Sequence, residues 1–408
     1  MPEAVIVATA RSPIGRAGKG SLTSIRPDDL AAQMVSAALA KVPQLDPADV
    51  GDLILGCGLP GGEQGFNMAR VVAVLLGHDH LPGTTVNRYC SSSLQTTRMA
   101  FHAIKAGEGD VYISAGVECV SRLAKGSSDS WPDTHNQAFS DARLRAERIA
   151  AGEAGAWRDP REDGQMPDIY VAMGQTAENV AQREKISREE QDRFAVKSQN
   201  AAVKARDDGF FDLEIIPVPL PNGQTFTKDD GPRPGTTMEV LATLQPAFRE
   251  NGTVTAGNAC PLNDGAAAVV VMSERRANEL GIKPIARVVA TGLSALEPEF
   301  MGLGPIDASR QALKRARMSI DDIDIVEINE AFAAQVIPSA RGIGVDPFSD
   351  KLNPHGGAIA LGHPFGMTGA RILCTLLNGL RETDKTFGLE TMCVGGGQGM
   401  AMILERLN

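Results

Sequence analysis

Two separated stretches of this chain repeat one short pattern, and that repetition constrains the fold more than any single residue does. Asp49-Val-Gly-Asp-Leu-Ile-Leu-Gly56 and Asp322-Ile-Asp-Ile-Val-Glu-Ile-Asn329 each run from an acidic lead-in into an apolar strand. From Gly56 to Cys90 is 34 positions, and from Asn329 to His363 is again 34. Both stretches end at a turn followed by a helical pattern. The spacing predicts two similar α/β halves whose corresponding loops face each other, so that a site at their junction draws residues from both.

The surrounding pattern fits such halves. Short apolar runs at 5–8, 52–55, 111–115, 266–272, 285–292, 323–328, 391–394 and 400–404 read as strands buried on both faces, and helical patterns at 27–40, 92–105, 308–317 and 369–380 alternate with them. Residues 1–120 and 250–280 are assigned to the N-terminal half and 281–408 to the C-terminal half. The intervening stretch 121–249 is richer in charge, Gly and Pro, and is expected to be an inserted loop domain that covers the site. A polar helical pattern at 177–208 contains Ser187 and Glu190 at capping-box spacing.

Composition narrows the function classes. The net charge of −10 argues against a nucleic-acid-binding surface while leaving room for an anionic small molecule at a local basic cluster. The six cysteines are scattered without a Cys-x-x-Cys pair, so neither a metal site nor a redox dithiol is expected, and free thiols suit a reducing, cytoplasmic compartment. No run of 18 apolar residues is present, and the first fifteen residues lack a leader pattern, so no membrane association is expected.

Three segments carry reactive side chains where the backbone turns. Cys90, in Val-Asn-Arg-Tyr-Cys-Ser-Ser-Ser, sits between a strand-like 84–86 and a helix beginning near Ser92. A helix start favours a thiolate and would lower the thiol below its usual value near 8.5, although a lone cysteine is more often a small buried hydrophobe. His363, in Gly-Gly-Ala-Ile-Ala-Leu-Gly-His-Pro, has an ordinary value near 6.5 and can accept a thiol proton at neutral pH, or simply cap a turn. Cys393 enters Gly395-Gly396-Gly397, where bare amides can approach an oxyanion. Asn329, directly after a strand, suits either a donor to an oxyanion or a helix cap. Glu330 and His355 are polar residues to which spacing alone gives no role.

Taken together, these segments resemble the thiolases. The resemblance extends over nearly the whole chain: Ala8-Thr-Ala-Arg-Ser-Pro-Ile-Gly15, the Cys90 segment, Gly174-Gln-Thr-Ala-Glu-Asn-Val-Ala181, Thr255-Ala-Gly-Asn258, Asn263-Asp-Gly-Ala-Ala, Met301-Gly-Leu-Gly-Pro305 and the three C-terminal motifs. It implies a five-layered αβαβα fold of two halves with helices sandwiching two mixed sheets, usually assembled as a homodimer or homotetramer. It further implies that Cys90 is the acylated nucleophile, that His363 activates it, and that Cys393 is the acid/base at the α-carbon or thiol. Asn329, through a water, and His363 would form one oxyanion hole, and the N–H groups of Cys90 and Gly395 the other. Coenzyme A enters as substrate, with no covalently bound cofactor; Arg233, Phe248, Ala256, Gly257 and Cys260 would lie along it, and Met173 and Met301 would line the acyl pocket.

Three positions depart from the family pattern. Ala172 stands where acetoacetyl-specific members carry histidine, Cys260-Pro261 replaces a Ser-Gly that helps hold pantetheine, and His355 replaces an asparagine. The first two favour degradative cleavage of 3-oxoacyl-CoA, as in fatty acid β-oxidation, over dedicated acetoacetyl-CoA synthesis. A decarboxylating ketoacyl synthase would be expected to lack Cys393. A non-catalytic acyl-CoA or lipid carrier would be expected to lose at least one of Cys90, His363 and Cys393.

Overall fold

The computed structural model describes residues 2–125, 134–155 and 157–408, so residues 126–133 and 156 of the expected insertion lie outside the described residues. The N-terminal half runs β1 (Ala4–Arg11), β2 (Gly15–Arg16), α1 (Pro27–Ala40), β3 (Asp52–Gly56), α2 (Met68–Leu75), β4 (Gly83–Val86), α3 (Ser92–Ala106) and β5 (Val111–Cys119). An excursion follows through α4 (Ser140–Ala150), α5 (Met173–Arg183), α6 (Arg188–Asp207), β6 (Val218–Pro219), β7 (Thr225–Phe226) and α7 (Met238–Ala242), and the chain returns as β8 (Asn263–Ser273). α8 (Glu274–Glu279) packs on β1 and β8, and the C-terminal half then comprises β9 (Ala286–Ala295), α9 (Gly304–Ala316), β10 (Ile325–Ile328), α10 (Ala333–Ile343), α11 (Ala358–Leu361), α12 (Thr368–Glu382), β11 (Phe387–Val394) and β12 (Gln398–Arg406).

Strand pairing bears out the repeat. In the first half β3 pairs parallel with β5, β5 antiparallel with β8, and β8 antiparallel with β1. In the second, β10 pairs parallel with β11, β11 antiparallel with β12, and β12 antiparallel with β9. The N-terminal half adds β4 beside β3. The two expected sheets are not separate: Val5 and Ile6 of β1 pair with Arg287 and Ala286 of β9, and this short seam makes one continuous path. The ladder satisfies backbone groups that two free edges would leave unpaired.

Alternation of side chains along each strand divides the core into layers. One face of the N-terminal strands packs Leu53, Ile113 and Val270 against Leu30 and Met34 of α1 and Val72 of α2. The opposite face, with Ile54, Val269 and Val271, meets α3 and α12, and Met392, Met400 and Met402 of the C-terminal strands close the same space. Beyond them, α9 and α10 cover Val326, Ile328, Leu389 and Ile403. The order is α-β-α-β-α, with α3 and α12 shared by both halves. Each fully buried Leu or Met in these layers contributes on the order of 1.5–3 kcal/mol.

The insertion is tied to this frame by charge. Arg11, fully buried at the end of β1, donates to Glu214 at 2.7 Å and to both oxygens of Asp229 at 2.8 and 3.0 Å. Those carboxylates hold the guanidinium charged against burial, which gives the opening Ala-Arg-Ser-Pro segment its structural role. Cys119 and Asp264 face each other across β5 and β8, so the excursion leaves and rejoins the sheet at adjacent points. Residues 250–262, assigned from sequence to the N-terminal half, still belong to that excursion, because β8 starts only at Asn263.

The expected helix over 177–208 is two helices. The first begins earlier, at Met173, and ends at Arg183. Lys185 takes a left-handed φ of 56°, and Ser187 then opens α6 by accepting from the Glu190 N–H at 3.1 Å. Ser187 therefore marks a boundary within the periodic stretch. Among the described residues, no helix is long and apolar enough to cross a membrane.

Candidate active site

Cys90 occupies the short turn Tyr89–Ser91 between β4 and α3. Tyr89 is held at φ 43°, a left-handed conformation that costs a non-glycine residue energy and is found where surrounding structure enforces it. The turn packs against β11 and α12, which brings the nucleophile candidate to the other half of the molecule. Gly395 and Cys90 line the same cavity, and the backbone amides of both favour the Cys90 thiolate. Burial nevertheless pushes this thiol up to about 11. The expected lowering by the helix start is overturned, because loss of solvent around a buried sulfur outweighs two amide dipoles.

His363 follows Gly362, whose φ of 112° and whose contact with the Asn263 side chain leave no room for a Cβ. Its backbone N–H donates to Asn263 Oδ1 at 3.0 Å. The ring Nδ1 lies 2.6 Å from Thr368 Oγ1, which itself donates to the Pro364 carbonyl at 2.8 Å, so Thr368 accepts and Nδ1 carries the proton. Nε2 is left unprotonated and accepts from Asn329 Nδ2 at 3.2 Å. Burial, assisted by the Arg371 charge, lowers the imidazole to about 3, well below the value near 6.5 expected from sequence. The unliganded site therefore holds a neutral thiol and a neutral imidazole.

Asn329 leaves β10 beside β11, its N–H donating to the Thr391 carbonyl at 3.0 Å. Its Oδ1 is buried and makes no hydrogen bond among the described residues. Cys393, near the end of β11, is fully buried in a cluster with Met301, Phe332 and Ala334, against which Met173 and Cys260 pack. Burial raises its thiol, and the neighbouring Cys90 and Cys260 sulfurs raise it further. The two thiols and the imidazole predicted to converge are thus joined through β11, Asn329 and α12. Cys260, expected along coenzyme A, also brings its sulfur within electrostatic reach of Cys90.

A cavity of about 390 Å³ opens onto Cys90. Leu59, Tyr89, Val171, Ala172, Met173 and Phe365 supply side chains to its wall, and Gly395 and Gly396 supply bare backbone. Ala172 thus lines the cavity without a polar group, and Met173 does so as expected. Met301 is buried in the Cys393 cluster, against which Met173 packs.

The remaining coenzyme A candidates lie on the excursion. Phe248 is 38% exposed and packs edge-on to Phe332. Ala256 is exposed, and Gly257 lies against Leu241 and Leu244 at the end of α7. Arg233 is exposed, with its backbone N–H donating to Gln199 at 2.9 Å. Among the described residues, no group of His, Cys, Asp and Glu could hold a metal ion.

Several supporting residues escaped the sequence reading. Glu118, fully buried in β5, accepts from the N–H groups of Gly58 at 2.8 Å, Leu59 at 3.2 Å and Gly366 at 2.9 Å, and from Gln64 Nε2 at 2.6 Å. It joins the cavity wall to the loop after His363, and burial raises its carboxyl. A lone Glu in an apolar strand was the available signal, since a buried carboxyl must be partnered. Glu330 accepts from Ser198 at 2.5 Å, Asn353 at 2.8 Å and the Ile359 N–H at 3.1 Å, locking α6 to the segment before His363. His355 stacks on Phe210 at 3.6 Å and bonds Glu382 at 3.0 Å, a structural position away from the cavity.

Comparison with known proteins follows this geometry. The thiolase N-terminal domain model matches residues 4–275 and the thiolase C-terminal domain model residues 282–406. The chain is 44% identical over 412 residues to the 3-oxoadipyl-CoA/3-oxo-5,6-dehydrosuberyl-CoA thiolase of Escherichia coli (strain K12), covering 100% of both chains. It is 40% identical over 418 residues to the 3-ketoacyl-CoA thiolase of Bacillus subtilis (strain 168), covering 99% of this chain and 100% of the relative. Among solved structures, the Bacillus anthracis acetyl-CoA acetyltransferase superposes with a TM-score of 0.85 at 38% identity, over 100% of this chain and 99% of that one. Human mitochondrial 3-ketoacyl-CoA thiolase gives 0.85 at 34% identity with the same coverage.

Proposed function

This chain belongs to the thiolase family, and from that premise we propose that it cleaves 3-oxoacyl-CoA with coenzyme A, giving acetyl-CoA and a shortened acyl-CoA through an acyl-Cys90 intermediate. The reading is supported by Cys90 and Gly395 lining one cavity, by Cys393 lying within electrostatic reach of the Cys90 sulfur, and by a His363 ring held by Asn329 and Thr368.

In the proposed reaction, Cys90 Sγ attacks the 3-keto carbon while its proton passes to His363 Nε2. The N–H groups of Cys90 and Gly395 receive the oxygen that becomes negative. The bond between the keto carbon and the α-carbon then breaks, leaving an acyl-thioester on Cys90 and the enolate of acetyl-CoA. Asn329 and His363 stabilise the enolate oxygen, and Cys393 gives its thiol proton to the α-carbon. An incoming coenzyme A thiol loses its proton to Cys393 and attacks the Cys90 thioester; the bond to Cys90 breaks, its sulfur takes back the proton held by His363, and acyl-CoA leaves. Because each step is reversible, condensation of two acyl-CoA molecules runs through the same groups, and acetoacetyl-CoA synthesis is the alternative direction.

Arg233, Phe248, Ala256, Gly257 and Cys260 are proposed to lie along coenzyme A, and Met173 and Met301 near the acyl group, in a cytoplasmic homodimer or homotetramer. The apolar Ala172 in the cavity wall supports 3-oxoacyl-CoA cleavage over a dedicated acetoacetyl-CoA role. The test is incubation with acyl-CoA, followed by intact mass and peptide mapping for an acyl group on Cys90. A thiolysis series over 3-oxoacyl-CoA esters of increasing length, with 3-oxoadipyl-CoA included, would set the substrate range. Binding of coenzyme A without acylation or turnover would favour the carrier reading instead.

A further inference from the structure

We infer that Arg88 and Gln398 are positioning residues that hold the Gly395 N–H on the Cys90 sulfur, an inference that rests on the thiolase reading of this site. The turn that carries the donor is Gly395-Gly396-Gly397, with Gly396 and Gly397 at φ 77° and 80°. Three glycines give a peptide little steric resistance to rotation. A donor to a developing oxyanion must stay aimed within a fraction of an ångström, so the restraint has to come from outside the turn.

Leu296 donates its N–H to the Gly397 carbonyl at 2.8 Å, and a side-chain path reaches Gly395 itself. The Gly395 carbonyl, on the opposite side of the residue from its N–H, accepts from Gln398 Nε2 at 3.3 Å. Gln398 Oε1 in turn accepts from Arg88 Nη1 at 2.9 Å, a link across 310 positions of sequence. Arg88 belongs to the nucleophile's own turn: its N–H donates to Ser92 Oγ at 2.9 Å and its carbonyl accepts from the Ser91 N–H at 3.0 Å. The Gln398 backbone is fixed at the start of β12, opposite Val394 of β11 and Ala295 of β9. The path thus runs from the Cys90 turn through Arg88 and Gln398 to Gly395, which lines the same cavity as Cys90.

The residue type at 398 follows from this path. An amide accepts from Arg88 with its oxygen and donates to Gly395 with its nitrogen, whereas a carboxylate only accepts. A carboxylate would also place negative charge close to where the thiolate and oxyanion form.

Acyl-Cys90 formation from acetyl-CoA, followed by rapid quench and mass spectrometry, tests the assignment in wild type, Gln398→Leu, Gln398→Glu, Arg88→Leu and the double Leu variant, alongside melting curves. Acylation should slow by roughly 10- to 100-fold in each variant, with the half-saturating acetyl-CoA concentration and the melting temperature close to wild type. The double variant should be no slower than the slower single variant, since both break one path. Gln398→Glu, which keeps a partner for Arg88 but loses the donor to Gly395, should be as slow as Gln398→Leu. Wild-type acylation rates in folded Gln398→Leu or Gln398→Glu would overturn the inference, as would losses that multiply in the double variant. Should Arg88→Leu fail to fold, the two Gln398 variants decide it. Failure of wild type to acylate Cys90 would defeat the thiolase reading itself and this inference with it.

Discussion

Asn329 Nδ2 and His363 Nε2 lie 3.2 Å apart, and because an amide nitrogen only donates, this contact fixes the ring with its proton on Nδ1 and its Nε2 lone pair on Asn329. Thr368 holds the other edge of the ring at 2.6 Å. The imidazole is thereby set as a base before any substrate arrives.

Asn329→Ala should remove both the orienting donor and the amide that serves the enolate oxygen. Turnover should fall by roughly 10²-fold or more, the scale of losing one oxyanion donor. Steady-state thiolysis checks this, and a loss below about threefold would remove Asn329 from the machinery.

Nucleophilic attack and proton transfer at carbon are separable steps. Cys90→Ala should show no mass increase with acyl-CoA. Cys393→Ala should still acylate but fail to exchange the α-protons of acetyl-CoA with deuterated solvent, and normal exchange would show that another group handles the α-proton.

Burial holds the Cys90 thiol up at about 11, and His363, buried and beside Arg371, down at about 3. In the substrate-free enzyme, alkylation of Cys90 by iodoacetamide should therefore climb about tenfold per pH unit between pH 7 and 10, since only the thiolate reacts. Peptide mapping isolates this cysteine from the other five. A rate already level at pH 7 would reveal a thiolate–imidazolium pair at rest.

Glu327 faces Glu390 across the β10–β11 pair, and burial pushes its carboxyl up to about 8 against the attraction of Arg371. The native chain keeps a proton that the unfolded chain releases near 4.5. Stability from this group is complete below that value and drains away as pH rises through about 8. Glu327→Gln cannot ionise, so its melting temperature should match wild type near pH 5 and exceed it at pH 9. Lower relative stability at pH 9 would contradict the assignment.

The repeat, the layers and the three reactive segments were legible because each is written in local strings: an acidic lead-in before a strand, a cysteine at a helix start, a histidine among glycines. Packing between the halves was not. The opposite shifts of Cys90 and His363 depend on how deeply β11, α12 and Arg371 enclose them, and a one-dimensional pattern places none of these beside residue 90. The break before Ser187 was hidden because apolar periodicity on either side continues through it. Glu118 was overlooked because its hydrogen-bond donors come from two distant loops.

Cys119 and Asp264 stand opposite each other on neighbouring strands, so everything between them hangs from the sheet like a cassette on two adjacent pegs. Cys90, Cys393, His363 and Asn329 reside on the frame, while Met173, Arg233, Phe248 and Ala256 travel with the cassette. Under the proposed assignments, evolution can exchange the choice of acyl chain and the grip on the nucleotide without rebuilding the chemistry, and an engineer can graft the same interval between relatives along those two strands.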